Sequence, residues 1–373
     1  MNTPDAEALL EEINGWAAIE SKSEELQGVT RMMERAMADF EAAGMLVEPI
    51  AGTEGLGPHF HARTPCGREG PSVLVLCHLD TVHPAGSLRR NPIRTEGDRA
   101  FGPGVYDMKG GVVLALAAAR SLIGANVRTP LPIRFLVVSD EEIGSPTSQP
   151  HIRAAAANAA HVLVTEPARD GGKVVTARKG AARMKIAAQG KPAHSGVRHQ
   201  DGESAVLEMA RQIVDLEAMT RYETGLTLNV GLVHGGSGVN VVPEHCEAEL
   251  DIRMTDLAEG EAAIARIRGI RPYNPEIRLT VSGGMNRPPY AKSNSVAALF
   301  EHARGLAAEI GFELHDTFTG GGSDGNFTAS IAPTLDGLGV DGAGAHTMEE
   351  HLLVSSLVPR MLLLRRLFET LKA

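Results

Sequence analysis

Along the first forty positions, apolar residues recur at helical spacing. This predicts amphipathic helix, interrupted near Gly15 and Ser21–Ser23, with Asp5 as its cap. Short apolar runs then alternate with helical stretches. SVLVLC (72–77) is a β-rich run ending at His78-Leu79-Asp80, and Gly110 to Ile123 is Ala/Leu-rich and helical. IRFLVVS (133–139) is a second strand, ending at Asp140-Glu141-Glu142. A helical stretch at 154–160 leads into a third strand, HVLVT (161–165), which ends at Glu166. Nearly continuous apolar strands alternating with helices predict an α/β fold with a buried, mainly parallel sheet and helices on both faces. All three strands run into acids or histidine at their carboxyl ends, the edge where open α/β sheets collect ligands.

After about residue 178 the rhythm changes. ARMKIAAQ alternates as a strand, and a helix is expected at 202–220. TLNVGLVHGG and CEAELDIRM are two further strands, 258–269 is helical, and EIRLTVSG closes the series. That β-α-β-β-α-β order is the ferredoxin-like pattern, an antiparallel sheet with two helices on one face. From about 286 the chain returns to a helix (294–310), a Gly-rich loop (320–325), a strand near 332–336 and a closing helix (352–371). The simplest architecture is a discontinuous α/β domain, 1–177 with 286–373, carrying an inserted ferredoxin-like domain at 178–285.

Composition narrows the function. A chain of 373 residues with 43% apolar and 22% charged residues is an ordinary globular protein with room for two domains. A net charge of −10, one Trp and 4% aromatics argue against nucleic-acid binding. Cys66, Cys77 and Cys246 are too few and too scattered for a disulfide framework or a thiolate zinc cluster. No apolar run is long enough to span a membrane. The acidic start MNTPDAEALLEEI lacks the pattern of a signal peptide, so a cytoplasmic protein is expected.

The chemistry-bearing residues are hard ligands. His78 and Asp80 lie two apart on a strand end and share a face, so a carboxylate stands ready to orient a metal-binding imidazole. Asp107 lies in GPGVYDMKGG, where Gly-rich backbone turns into helix. Glu141 and Glu142 are adjacent and project differently, so one can bind metal while the other faces a water. Glu166 ends the next strand, and His346 lies in GAGAHTMEEH. Such a His/Asp/Glu set suits zinc, cobalt or manganese. Singly, each motif has a bland reading: His-x-Asp a local hydrogen bond, Glu-Glu a solvated turn, His194 in GKPAHSG a loop histidine, Arg253 a surface ion pair.

In combination, the ordered series His78-x-Asp80, Asp107-Met-Lys-Gly-Gly, Asp140-Glu141-Glu142, Thr165-Glu166-Pro and Gly-x-His346-Thr resembles the M20 family of co-catalytic zinc peptidases. The stretch 92–111 looks like that of glutamate carboxypeptidases of the carboxypeptidase G2 type. The resemblance implies two zinc ions bridged by Asp107, with His78 and Glu166 completing one site and Glu142 and His346 the other. It implies Asp80 as the residue orienting His78, Glu141 as general base, and His194 as an oxyanion donor supplied across a homodimer by the inserted lid domain. Asn240 and Arg253 look like the pair holding a substrate α-carboxylate. Arg287 and Lys173 resemble groups that receive a glutamate side chain, and Gly322 in GGGSDG a loop glycine approached by substrate. GGGSDG lacks the Lys-Ser/Thr of a phosphate loop. The loop after Glu166, PARDGGKVV, departs in length from the glutamate-specific type, and so does the missing leader. The implied activity is hydrolysis of an N-acyl or peptidyl amino acid, foremost C-terminal glutamate. The rivals are an aminoacylase, dipeptidase or deacylase, a metal-dependent deaminase, and a non-catalytic binding protein on the same fold.

Overall fold

Ser72–His78 runs through the middle of a six-stranded sheet, and every one of its residues is buried. An unbroken apolar run is what a strand covered on both faces requires. It pairs in parallel with Ile133–Val138 on one side and Ala159–Val164 on the other, and Thr334–Leu335 extends the parallel set beyond Ala159–Val164. This computed structural model describes residues 5–65 and 70–373; Cys66 and the first four residues lie outside that range. Alternation along the strands divides the core. Val73, Val75 and Cys77 face a cluster shared with the helices Ala6–Ala17, Leu26–Ala42, Gly110–Gly124, Asn294–Ile310 and Leu357–Thr370. Leu74 and Leu76 face the helices Gln149–Ala157 and Gly325–Thr328. Each fully buried aliphatic side chain contributes about 1.5–3 kcal/mol to that assembly.

Asp5 does cap the first helix, accepting from the Glu7 N–H at 3.0 Å. Sequence periodicity missed the other edge of the sheet, where Leu46–Ile50 pairs with His59–Arg63 and the latter with Ile133–Val138, all antiparallel. Pro49 sits in the outermost strand, where a missing N–H is tolerated, and it hides that strand from a propensity reading. The helix expected at 154–160 is Gln149–Ala157, because Pro150 suits a first turn and the chain is already strand at Ala159. The closing helix starts at Leu357 rather than 352, since His351–Leu353 is a strand that pairs with Arg99–Phe101. That small sheet, completed by Arg94–Glu96 and Gly342–Ala343, joins the segments that lead to Asp107 and to His346.

The chain forms two compact units, residues 1–177, 291–319 and 323–373 in one, and 178–290 with 320–322 in the other. In the second unit the elements follow in the order Gly180–Gln189, Ala205–Glu217, Thr227–Gly235, His245–Met254, Leu257–Arg268 and Arg278–Arg287. The four strands form one antiparallel sheet, with Gly180–Gln189 and His245–Met254 central. Ser204 and Asp256 cap the two helices by accepting from the Leu207 and Glu259 N–H groups. Both helices cover the face carrying Met184, Ile186, Ala248, Leu250 and Ile252. The opposite face, with Arg183, Lys185, Glu249, Asp251 and Arg253, is open.

Candidate metal centre

His78 is the last residue of the central strand, and a second acidic segment begins directly after its neighbour Ile133–Val138. Asp80, two positions on, holds the imidazole. The ring Nδ1 lies 3.1 Å from the Asp80 carbonyl and 3.3 Å from Asp80 Oδ1, both acceptors, so the neutral ring carries its proton on Nδ1 and leaves the Nε2 lone pair for a cation. The fully buried Asp80 carboxylate also accepts from Ser23 Oγ (2.6 Å) and from the Glu141 and Glu142 N–H groups (3.2 and 3.1 Å). Burial alone would raise the Asp80 pKa, but these partners outweigh it and hold the group below the ordinary range. One carboxylate thus fixes both the histidine and the turn Glu141–Ile143.

Asp107 enters from the Gly-rich turn that precedes the helix Gly110–Gly124. A Cβ at Gly111 would stand 2.0 Å from the Thr165 carbonyl, so only glycine lets this helix start against the strand end that carries Glu166. His78 Nε2 is 3.5 Å from Asp107 Oδ1 and 3.5 Å from Glu166 Oε1. His346 Nε2 is 3.5 Å from Asp107 Oδ2 and 3.2 Å from Glu142 Oε2. The two oxygens of Asp107 therefore face two different triads, and within each triad the ligand atoms lie within 4.8 Å of one another.

Three observations fit these residues to cations. His78 Nε2, Asp107 Oδ1 and Glu142 Oε1 are buried and make no hydrogen bond, a costly state unless an ion answers them. The donors are imidazole and carboxylate, the set for zinc, cobalt or manganese. In the metal-free protein the cluster draws protons instead. Burial would lower the His78 pKa, yet the carboxylates of Asp107, Asp80 and Glu166 gathered around the ring hold it well above its ordinary value. Asp107 and Glu142 push His346 up to about 11. Burial, with the Asp107 charge, raises Glu142 to about 7.

Residues 74–370 match the family described as peptidase family M20/M25/M40. The chain belongs to that family. This M20 peptidase is 30% identical over 301 residues to carboxypeptidase G2 of Pseudomonas sp. strain RS-16, covering 79% of this chain and 72% of that protein. It is 28% identical over 333 residues to the succinyl-diaminopimelate desuccinylase of Paraburkholderia xenovorans LB400, covering 82% and 85%. Its fold matches aminopeptidase PepT of Bacillus cereus ATCC 10987 with a TM-score of 0.78 at 22% identity, covering 99% of both chains. It is a metal-dependent hydrolase of the metallopeptidase and amidohydrolase type with a mainly parallel α/β fold.

The remaining candidates of this M20 peptidase fall elsewhere in the chain. Glu141 opens the half-buried turn beside Glu142. Lys173 closes a tight turn whose backbone is bonded both ways to Arg169, and the Arg169 guanidinium, not Lys173, lies 4.0 Å from Glu166. In the second unit, His194 and Asn240 are brought together by the His194–Val241 bridge and the bond from Ser195 N–H to the Asn240 carbonyl. Arg253 and Arg287 are both in register with Ala181, and the Gly322 carbonyl accepts from Arg178 at 3.4 Å.

Sequence reasoning missed the supports. Buried Glu350 accepts from the Tyr106 and Asp107 N–H groups, each at 3.0 Å, and from the His83 ring, so it grips the loop that presents Asp107. Buried Asp140 accepts from the N–H and hydroxyl groups of Thr147 and Ser148 and closes the turn carrying both glutamates. An acid beside each motif, in Asp140-Glu141 and in Glu349-Glu350-His351, was the available signal.

Proposed function

We propose that this chain is a two-metal amidohydrolase that releases C-terminal glutamate from N-acyl or peptidyl substrates. Zinc is the resident metal in this reading, with cobalt or manganese able to replace it. The observation that carries it is Asp107, one oxygen turned to His78 and the other to His346, as a bridging ligand would be. Glu166 completes the first site and Glu142 the second. Bound there, divalent cations supply Lewis acidity at the scissile carbonyl and lower the pKa of the attacking water. Glu141 takes the proton from that water and passes it to the leaving nitrogen. Asp80 keeps His78 and the Glu141–Glu142 backbone in place for both tasks.

Support for a dicarboxylate comes from the pairing of half-buried Arg253 with buried Arg287 in the sheet of the second unit. Arg253 and Arg287 lie on either side of Ala181 in one row across three strands. Strand spacing puts their backbones roughly 10 Å apart, with only a methyl group between them. Two guanidiniums suit the two carboxylates of glutamate, Arg253 with Asn240 taking the α-carboxylate and Arg287 the side chain, with Lys173 and the backbone at Gly322 as further contacts. A deacylase, aminoacylase or dipeptidase would use the same metal chemistry without needing the pair. Arg287→Ala is the test: turnover of glutamyl substrates should fall, while N-acyl amino acids with neutral side chains stay unchanged. Equal loss on both would remove the glutamate assignment.

The second unit, bounded near 178 and 285, acts in this reading as lid and dimer contact. Its edge strand Thr227–Gly235 is mostly exposed and carries Leu232 and Val233, while Val214 stands exposed on the adjoining helix. His194 serves a second copy of the chain. Its Nδ1 accepts from the Gly196 N–H at 3.1 Å, which puts the neutral ring's proton on Nε2, ready to donate to an oxyanion. Residence in the cytoplasm belongs to this reading. No described helix is long and apolar enough to cross a membrane.

A further inference from the structure

Asp251 and Arg253 stand at i and i+2 on the strand His245–Met254, so both project from the face the helices leave open. Asp251 Oδ1 accepts from Arg253 Nε at 2.7 Å and Oδ2 from Nη2 at 3.0 Å. A guanidinium has two edges on which a carboxylate can dock, side-on through Nε and one Nη, and end-on through both Nη atoms. Asp251 takes the side-on edge. Among the described residues no hydrogen bond engages Nη1, and the Arg253 side chain is 32% exposed, so the end-on edge keeps its donors for a ligand. Across the strand pair, Ala181 stands in register with Arg253 and places only a methyl group beside it.

We propose that Asp251 is a positioning residue: it clamps one edge of Arg253 so that the other is presented, in a fixed plane, to the substrate α-carboxylate. This rests on the assignment of Arg253 made above. A free arginine side chain would have to be ordered when substrate binds, and a bidentate clamp removes that cost beforehand. Asp251 also adds a negative charge near an incoming carboxylate. Clamping and repulsion predict opposite signs when Asp251 is removed, and clamping is the larger effect in this proposal. The pair is half-exposed on a strand, so its charge is screened by solvent while its geometry is not.

The test uses the metal-loaded full chain with an N-acyl-L-glutamate and with its α-carboxamide. Asp251→Ala should raise KM for the acid about tenfold, with kcat little changed. KM for the carboxamide should stay near its starting value, so the preference for acid over amide shrinks by the same factor. Asp251→Glu should recover part of the preference, and melting temperatures should match that of the unmodified chain. An unchanged preference, or a lower KM for the acid, overturns the proposal, because Asp251 is then a bystander or a competitor. Arg253→Ala tells the two failures apart. If it erases the preference and Asp251→Ala does not, only the clamp is wrong. If Arg253→Ala leaves the preference intact, the assignment of Arg253 falls and the clamp with it.

Discussion

In the proposed metal centre His78 offers Nε2 because Asp80 occupies Nδ1, and the same carboxylate holds the backbone of Glu141 and Glu142. Asp80→Ala should therefore weaken metal uptake by about 10–100-fold without removing a ligand, measured by titration calorimetry. Glu141→Gln should leave uptake unchanged and lower kcat by about 10²–10⁴-fold. Uptake must also depend on pH. In the metal-free protein His78 and His346 hold protons well above neutrality, and Glu142 titrates at about 7. A cation displaces those protons, so affinity falls as pH falls, and the fall steepens below about 7 where Glu142 gains its own proton. A pH-independent affinity between 6 and 8 would contradict the ligand set. The proposed ligands stood out in the sequence because each closes a strand or flanks a glycine turn. Ser23 and Glu350 were not. One lies in an N-terminal segment and the other beyond His346, and only the tertiary fold brings them to Asp80 and Asp107.

The parallel strands announced themselves as unbroken apolar runs, since burial on both faces leaves no polar positions. The antiparallel edge pair was silent because His59–Arg63 mixes His, Phe, Ala and Arg, and Leu46–Ile50 contains Pro49. Their assignment comes from pairing with a neighbour rather than from their own periodicity. At the helix Gly110–Gly124 the sequence carries a clearer instruction. Gly111 approaches the Thr165 backbone too closely for any side chain. Gly111→Ala should force the helix off the strand end, at a cost of about 1–3 kcal/mol, read as a lower melting temperature and weaker metal uptake together. Retained stability with retained uptake would show that the contact yields freely.

At the scale of the whole molecule, the proposed role of His194 as oxyanion donor to another copy would make activity depend on assembly. Leu232→Lys combined with Val233→Lys on the exposed edge strand should shift sedimentation to the monomer and depress turnover, while metal uptake persists. A monomer of full activity would mean that His194 does not act across copies. The central claim, a paired metal site hydrolysing amides of C-terminal glutamate, is tested most directly by amino-acid release from a panel of N-acyl amino acids. The enzyme would be loaded with zinc, cobalt or manganese, beside a chelated control. The account predicts release that chelation abolishes and that is concentrated on glutamyl substrates. Release that survives chelation, or none from any member of the panel, would contradict it.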